Sequence, residues 1–183
     1  FRNGFSMHTE LARRWRDEAD PAFSTGSNLN GKKSDYLLGT GFRFGEMFEF
    51  DSNFRLDDDF ELHSVDATGS VDFWRVSASA TYFDIADSIS YDGLTSADVE
   101  GIKLNAELRV TDHIDLLFAQ SRNIAEGLNV SRGFGIQFSD DCSFFRISYV
   151  EKELNDRGVG SSESIKFAFG LKTIGEVSDN TFD

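Results

Sequence analysis

The stretch Ser139 to Val150, SDDCSFFRISYV, holds the only cysteine of the chain, directly after a tight acidic turn. One thiol cannot make an intrachain disulfide. Cys142 is therefore either an ordinary thiol, buried or merely exposed, or half of a bridge to something outside this sequence. The histidines His8, His63 and His113 stand at no metal-ligand spacing, with no cysteine or second histidine nearby, and read as surface or cavity-wall residues rather than ligands. Asp57, Asp58 and Asp59 lack the spacing of a calcium loop and read as a hairpin turn in water. Gly158-Val159-Gly160 has no strand-to-helix transition and no later acidic partner, as a nucleotide site requires. Asn129-Val130-Ser131 is an acceptor sequon by letters only. A Ser/His/Asp set can be assembled from many residues, yet no nucleophile-elbow motif supports one. The residues thus point to no catalytic site, no metal and no cofactor.

Composition bounds what remains. The chain has 183 residues, 39% hydrophobic, with 19 Phe and a single Pro, which suits an ordered domain rich in strands. A formal net charge of -14 argues against a nucleic-acid partner, because phosphate backbones are held by Lys and Arg. No apolar run approaches the roughly 20 residues of a membrane helix, which leaves membrane-spanning strands open. The start, FRNGFSMHTELARRWR, has neither the apolar core nor the cleavage site of a signal peptide and begins in mid-pattern, as a piece of something longer would.

Strict alternation of polar and apolar residues, the mark of a half-buried strand, recurs in block after block. Phe48, Phe50, Phe54 and Leu56 oppose Glu49, Asp51, Asn53 and Arg55; Ile102, Leu104, Ala106, Leu108 and Val110 oppose Lys103, Asn105, Glu107 and Arg109. The pattern predicts ten strands, at about 5–15, 34–44, 47–57, 60–71, 73–83, 99–110, 113–122, 128–139, 142–151 and 162–174, near the length of tilted membrane-spanning strands. Short turns at Gly45 to Glu46, near Asp72, at Thr111 to His113 and at Ser139 to Asp141 alternate with longer polar links. A transmembrane barrel has short turns at one end and long loops at the other. The link Asp57 to Asp59 is short where the rule predicts long.

Alternation alone fits a soluble sandwich as well as a barrel. Strand length and the aromatics near strand ends (Phe44, Phe48, Trp74, Tyr82, Tyr149) favour the barrel, where such rings form interfacial girdles. The expected fold is all-β, an antiparallel up-and-down transmembrane β-barrel to which residues 1–183 would supply about ten strands. Arg43, Arg55, Arg75, Lys103, Glu107, Arg109 and Arg146 would then line a wetted lumen. Cys142 would follow a periplasmic turn, in an oxidising compartment.

The run FRFGEMFEFDSNFRLDDDFELHSVDATGSV, the later SDDCSFFRISYVEKEL and the closing SIKFAFGLKTIGEVSD resemble the C-terminal barrel of the lipopolysaccharide-assembly outer-membrane proteins (the LptD/OstA family), of the alphaproteobacterial type. The likeness spans most of the chain from about Ser34 onward and is most specific at the Asp140-Asp141-Cys142 turn, the strand after it, and Leu171 to Gly175. It implies that the strands are the C-terminal ones of a larger barrel, and that this barrel is a non-enzymatic translocon in the outer membrane of a Gram-negative bacterium that inserts lipopolysaccharide into the outer leaflet. Its partners would be outer-membrane lipid, a plug lipoprotein in the lumen, and a periplasmic transport bridge acting through an N-terminal domain.

The family's cysteines near Cys142 pair with cysteines of that N-terminal domain, so the resemblance implies an interdomain disulfide at Cys142. Many members have two adjacent cysteines, whereas Ser143 follows here. The last strand would be one side of the family's lateral seam, with Ser164, Lys166, Ala168 and Gly170 turned inward and Ile165, Phe167, Phe169 and Leu171 outward. A porin-like or structural barrel is the alternative, and an outer-membrane enzyme a minor one.

Overall fold

The computed structural model describes residues 4–19, 22, 31–89, 96–153 and 160–172. They form ten strands: β1 Phe5–Ala12, β2 Tyr36–Phe44, β3 Phe48–Leu56, β4 Leu62–Phe73, β5 Val76–Ile89, β6 Ser96–Thr111, β7 Ile114–Asn123, β8 Leu128–Ser139, β9 Ser143–Lys152 and β10 Ser162–Leu171. No α-helix occurs among the described residues. The strands make one antiparallel sheet in sequence order, β1 through β10. That order does not close, because β1 and β10 are its two ends. The expected all-β, up-and-down architecture is present; closure into a barrel is not.

Ten strands occur where alternation predicts ten, with three differences of extent. β5 runs to Ile89 and β6 begins at Ser96, so most of the expected loop between Asp84 and Asp98 is strand. Local Asp and Ser content reads as loop, but paired neighbours satisfy the backbone and override it. The turn expected near Asp72 lies at Trp74 and Arg75, and β1 stops at Ala12 rather than near residue 15.

The chain divides into two compact units, Phe1–Gly69 with Thr81–Gly101, and Ser70–Ala80 with Ile102–Asp183. In the first, β2 is central: Thr40 pairs with Thr9 of β1 and Ser52 of β3. In the second, β7 to β10 pair in series, with Phe134 opposite both Phe118 and Tyr149, and Ile165 opposite Tyr149. A register shift at Ser121/Arg122 leaves Val130 as the extra residue of a bulge.

The turns have local chemical causes. Gly45 (φ 58°) supplies the left-handed residue between β2 and β3. Between β4 and β5 that conformation is held by Trp74 (φ 57°), an uncommon choice for a bulky residue. It is braced by Ser77 Oγ donating to Asp72 Oδ2 at 2.9 Å and by Arg75 Nη1 donating to the Val110 carbonyl at 2.8 Å.

The link after β3 is short because it is tightly made. Asp57 Oδ1 accepts the amides of Asp59 and Glu61, each at 2.8 Å. Phe60 (φ 64°) then stacks on Tyr36 with ring centres 5.1 Å apart. Arg13 clips this turn to the base of β2. Its Nε donates to the Ser34 carbonyl at 3.1 Å, Nη1 to Tyr36 Oη at 2.5 Å, and Nη2 pairs with Asp58, while its guanidinium lies 4.1 Å from the Tyr36 ring centre. The triple aspartate is thus committed to turn capping and an ion pair.

Replacing this nearly buried guanidinium leaves Tyr36 Oη and Asp58 without their partner. Arg13→Ala is expected to lower unfolding stability by about 2 kcal/mol, measured by urea titration of the chain folded in detergent, while Arg14→Ala, on an exposed side chain, changes it by less than about 0.5 kcal/mol.

Candidate functional site

The two faces of the sheet differ in chemistry, and in the second unit the apolar one is the more exposed. In the second unit the registers align rows of side chains across four strands. Ile114, Phe138, Phe145 and Phe169 form one row; Leu116, Ile136, Ile147 and Phe167 the next; Phe118, Phe134, Tyr149 and Ile165 the third. Phe167 and Phe169 are each 68% exposed. In the first unit, β2 and β3 carry the rows Tyr36–Leu56, Leu38–Phe54, Thr40–Ser52, Phe42–Phe50 and Phe44–Phe48. β1 adds Leu11, Thr9, Met7 and Phe5 to four of them.

In the second unit the opposite face is the more sheltered one. Asp115 is 6% exposed and Ser148 3%. Among the described residues the only buried hydrophobic side chains are Ala119 and Val150, so no conventional core holds these strands. The three rows join into one contiguous apolar patch across β7 to β10, the kind of exposed surface that marks contact with a partner or with lipid.

All seven expected wall residues lie on strands or turns of the polar face, and the structure supplies their partners. Arg43 pairs with Glu49; Arg55 Nε lies 3.3 Å from Asp35 Oδ2; Arg109 Nε lies 3.5 Å from Asp115 Oδ1. Arg146 Nε and Nη2 donate to Gln137 Oε1 at 2.9 and 2.6 Å. Arg75 caps Val110. Glu107 is half-buried and Lys103 exposed, both on β6. Arg43, Arg55 and Arg109 hold ion pairs, and the seven residues do not converge on one site.

Glycines shape this polar face in a way that alternation could not reveal. Gly41 lies under the side chains of His8 and Asp51, and Gly39 under Glu10 and Asn53. His8 Nε2 and Asp51 Oδ1 approach to 3.6 Å across β2, and Asn53 Nδ2 donates to Asp66 Oδ2 at 3.0 Å. Flanking strands lean long polar side chains over residues that have none. The remaining histidines stand apart: His113 Nδ1 is 3.0 Å from the Ser139 carbonyl, and His63 Nε2 is buried without a hydrogen-bond partner. No group of three or more potential metal ligands occurs among the described residues.

Along β10, Ile165, Phe167, Phe169 and Leu171 are exposed on the apolar face. Lys166, Ala168 and Gly170 are half-buried on the other face, and Ser164 is exposed there. The small residues are less empty than they read: the ring of Phe144 on β9 occupies the space a side chain at Gly170 would need. β10 pairs with β9 along its whole length. The motif residues Thr173 to Gly175 lie outside the described residues.

Cys142 is exposed, which removes the buried-thiol reading. Its turn is organised by one carboxylate, Asp140, whose Oδ1 accepts the amides of Cys142 (2.9 Å) and Ser143 (2.6 Å). Lys172, at the end of β10, donates its amide to the Cys142 carbonyl at 2.8 Å and its Nζ to the Asp140 carbonyl at 2.7 Å. The thiol is thus presented on a rigid turn tied to β10. Those amide hydrogen bonds, with help from the Ser143 hydroxyl and Lys172, hold the Asp140 carboxyl below its usual value.

No protein-family model matches the chain, and no curated protein matches it.

A carboxyl whose pKa is lowered by folding stabilises the fold above its unfolded pKa and ceases to do so as pH falls through the folded value. The Asp140 turn is therefore expected to loosen only below about pH 4. Hydrogen exchange at the Cys142 and Ser143 amides, corrected for intrinsic rates, should accelerate on acidification in the wild type. In Asp140→Asn it should start faster and lack that added acceleration.

Proposed function

We propose that this chain is part of the wall of an outer-membrane β-barrel, its apolar face in lipid and its polar face lining a wet lumen, and that the barrel is a lipopolysaccharide translocon without bond chemistry. The observation that carries the membrane setting is the inverted exposure: rows of Phe, Ile and Leu face outward while Asp115 and Ser148 are buried on the opposite face. In water that arrangement leaves apolar surface uncompensated, whereas in a bilayer it is the low-energy one. Strand dimensions agree. The five rows of β2 and β3 extend about 27 Å along the strands, or about 20 Å in height at a tilt of about 40°, close to the apolar band of such barrels once the flanking half-rows are added.

The translocon reading is supported by the resemblance of the Asp140-Asp141-Cys142 turn, β9 and the closing Leu171-Lys172 segment to the lipopolysaccharide-assembly proteins. An exposed thiol on a braced turn suits a bridge to a separate domain, and β10, an end of the strand order, suits one side of a seam. A paired polar wall would pass sugars and phosphates while discouraging acyl chains from entering.

The membrane setting is tested by reconstitution. The chain is expected to need detergent or vesicles to remain monodisperse with its strand content; a monodisperse, strand-rich state in plain buffer would exclude the setting. The translocon reading is tested in the parent protein in two ways. Non-reducing peptide mass spectrometry is expected to find Cys142 bonded to a cysteine of another domain, and a free thiol in mature membranes would count against the bridge. A cysteine placed between Ser164 and Gly170, cross-linked to one in the parent's first strand, is expected to stop lipopolysaccharide export until reduced. Undiminished export with the seam locked would exclude the gate.

A further inference from the structure

The apolar face differs in height from strand to strand. On β2 and β3 it has five rows, from Tyr36–Leu56 to Phe44–Phe48, four of them apolar and the middle one the hydroxyl pair Thr40–Ser52. On β7 to β9 it has three, Leu171 adds one more position on β10 alone, and the fourth row, at the opposite end of the same face, is Gln120, Arg132, Glu151 and Glu163. This row is structured: Arg132 Nη2 donates to Glu151 Oε2 at 2.7 Å, and Gln120 Nε2 donates to Asn129 Oδ1 at 3.1 Å. Just beyond it the β7–β8 register shifts at Ser121/Arg122, a break of the kind found at barrel rims. At the other end the face meets Asp112 and the Asp140 turn.

From this we infer that the β7–β10 face fits a locally thinned bilayer. The inference rests on the membrane reading above. Three rows span about 13 Å along the strands against about 27 Å for five, a difference of about 10 Å in height at a tilt near 40°. Were the hydrocarbon as thick here as five rows require, the carboxylates and guanidinium of the fourth row would sit inside it, where charge on the lipid face is strongly disfavoured. Lipid deforms more cheaply than ionised groups lose water, so the bilayer yields and thins beside these strands. Thinned lipid along β7 to β9, which adjoin β10, lowers the barrier for an amphiphile to pass sideways near that edge.

The test places single spin labels in a Cys142→Ser background, at Arg132→Cys, Glu151→Cys, Ile136→Cys and Phe42→Cys. Each protein is reconstituted in dioleoylphosphatidylcholine vesicles and probed with oxygen against a nickel chelate. Labels at 136 and 42 are expected to read hydrocarbon and those at 132 and 151 water. Hydrocarbon readings at 132 and 151 overturn the inference; water readings at 136 and 42 overturn the membrane reading instead. A second measurement guards against label effects. The charge-neutral pair Arg132→Leu with Glu151→Leu extends the apolar rows, and is expected to reduce the preference for inserting into dilauroyl over dioleoyl vesicles by at least about threefold. An unchanged preference overturns the inference.

Discussion

The lateral backbone hydrogen bond is the interaction on which the rest of this structure depends. With Ala119 and Val150 the only buried apolar side chains among the described residues, no layer-on-layer core holds the strands. Cohesion comes from ladders such as β1–β2–β3 and β7–β8–β9–β10. A sheet held this way must keep its register, because a one-residue slip would exchange the faces of every side chain. The aromatic pairs across strands reinforce register: Phe42 lies 5.4 Å from Phe48 and 5.2 Å from Phe50, and Phe118 lies 5.2 Å from Phe134.

Charge is managed by pairing across strands rather than by dispersal in solvent. The Arg43–Glu49 and Arg109–Asp115 pairs, the Asn53–Asp66 hydrogen bond and the His8–Asp51 approach over Gly41 distribute an acidic excess along the polar face. Each exposed pair contributes little by itself. Their joint effect is a face whose polar groups bind one another across strands.

The strand ends combine rigidity with presentation. Asp57 and Asp140 each organise a turn by accepting two backbone amides. One turn presents Phe60 to the Tyr36 ring and the Arg13 clip; the other leaves the Cys142 thiol exposed while Lys172, at the end of β10, bonds the carbonyls of Cys142 and Asp140. In both, a side chain with no catalytic environment acquires a fixed position.

Period-two alternation by itself determined the number of strands, their antiparallel succession and the polar or apolar character of each face, because these follow from successive side chains pointing to opposite sides. The placing of Arg43, Arg55, Arg109 and Arg146 opposite the apolar residues of their strands was legible for the same reason. The turn at Trp74 was not, since a bulky residue with positive φ carries no compositional signal, and neither was the Arg13 clip, which joins residues far apart in sequence. Composition also misplaced the ends of β5 and β6, where paired neighbours carry strand through residues that locally read as loop. Only the tertiary registers aligned Arg132 with Glu151 and Gln120 into one row, set the height of the apolar face strand by strand, and laid Phe144 over Gly170. A row is a property of pairing between strands, and no single strand's sequence contains it.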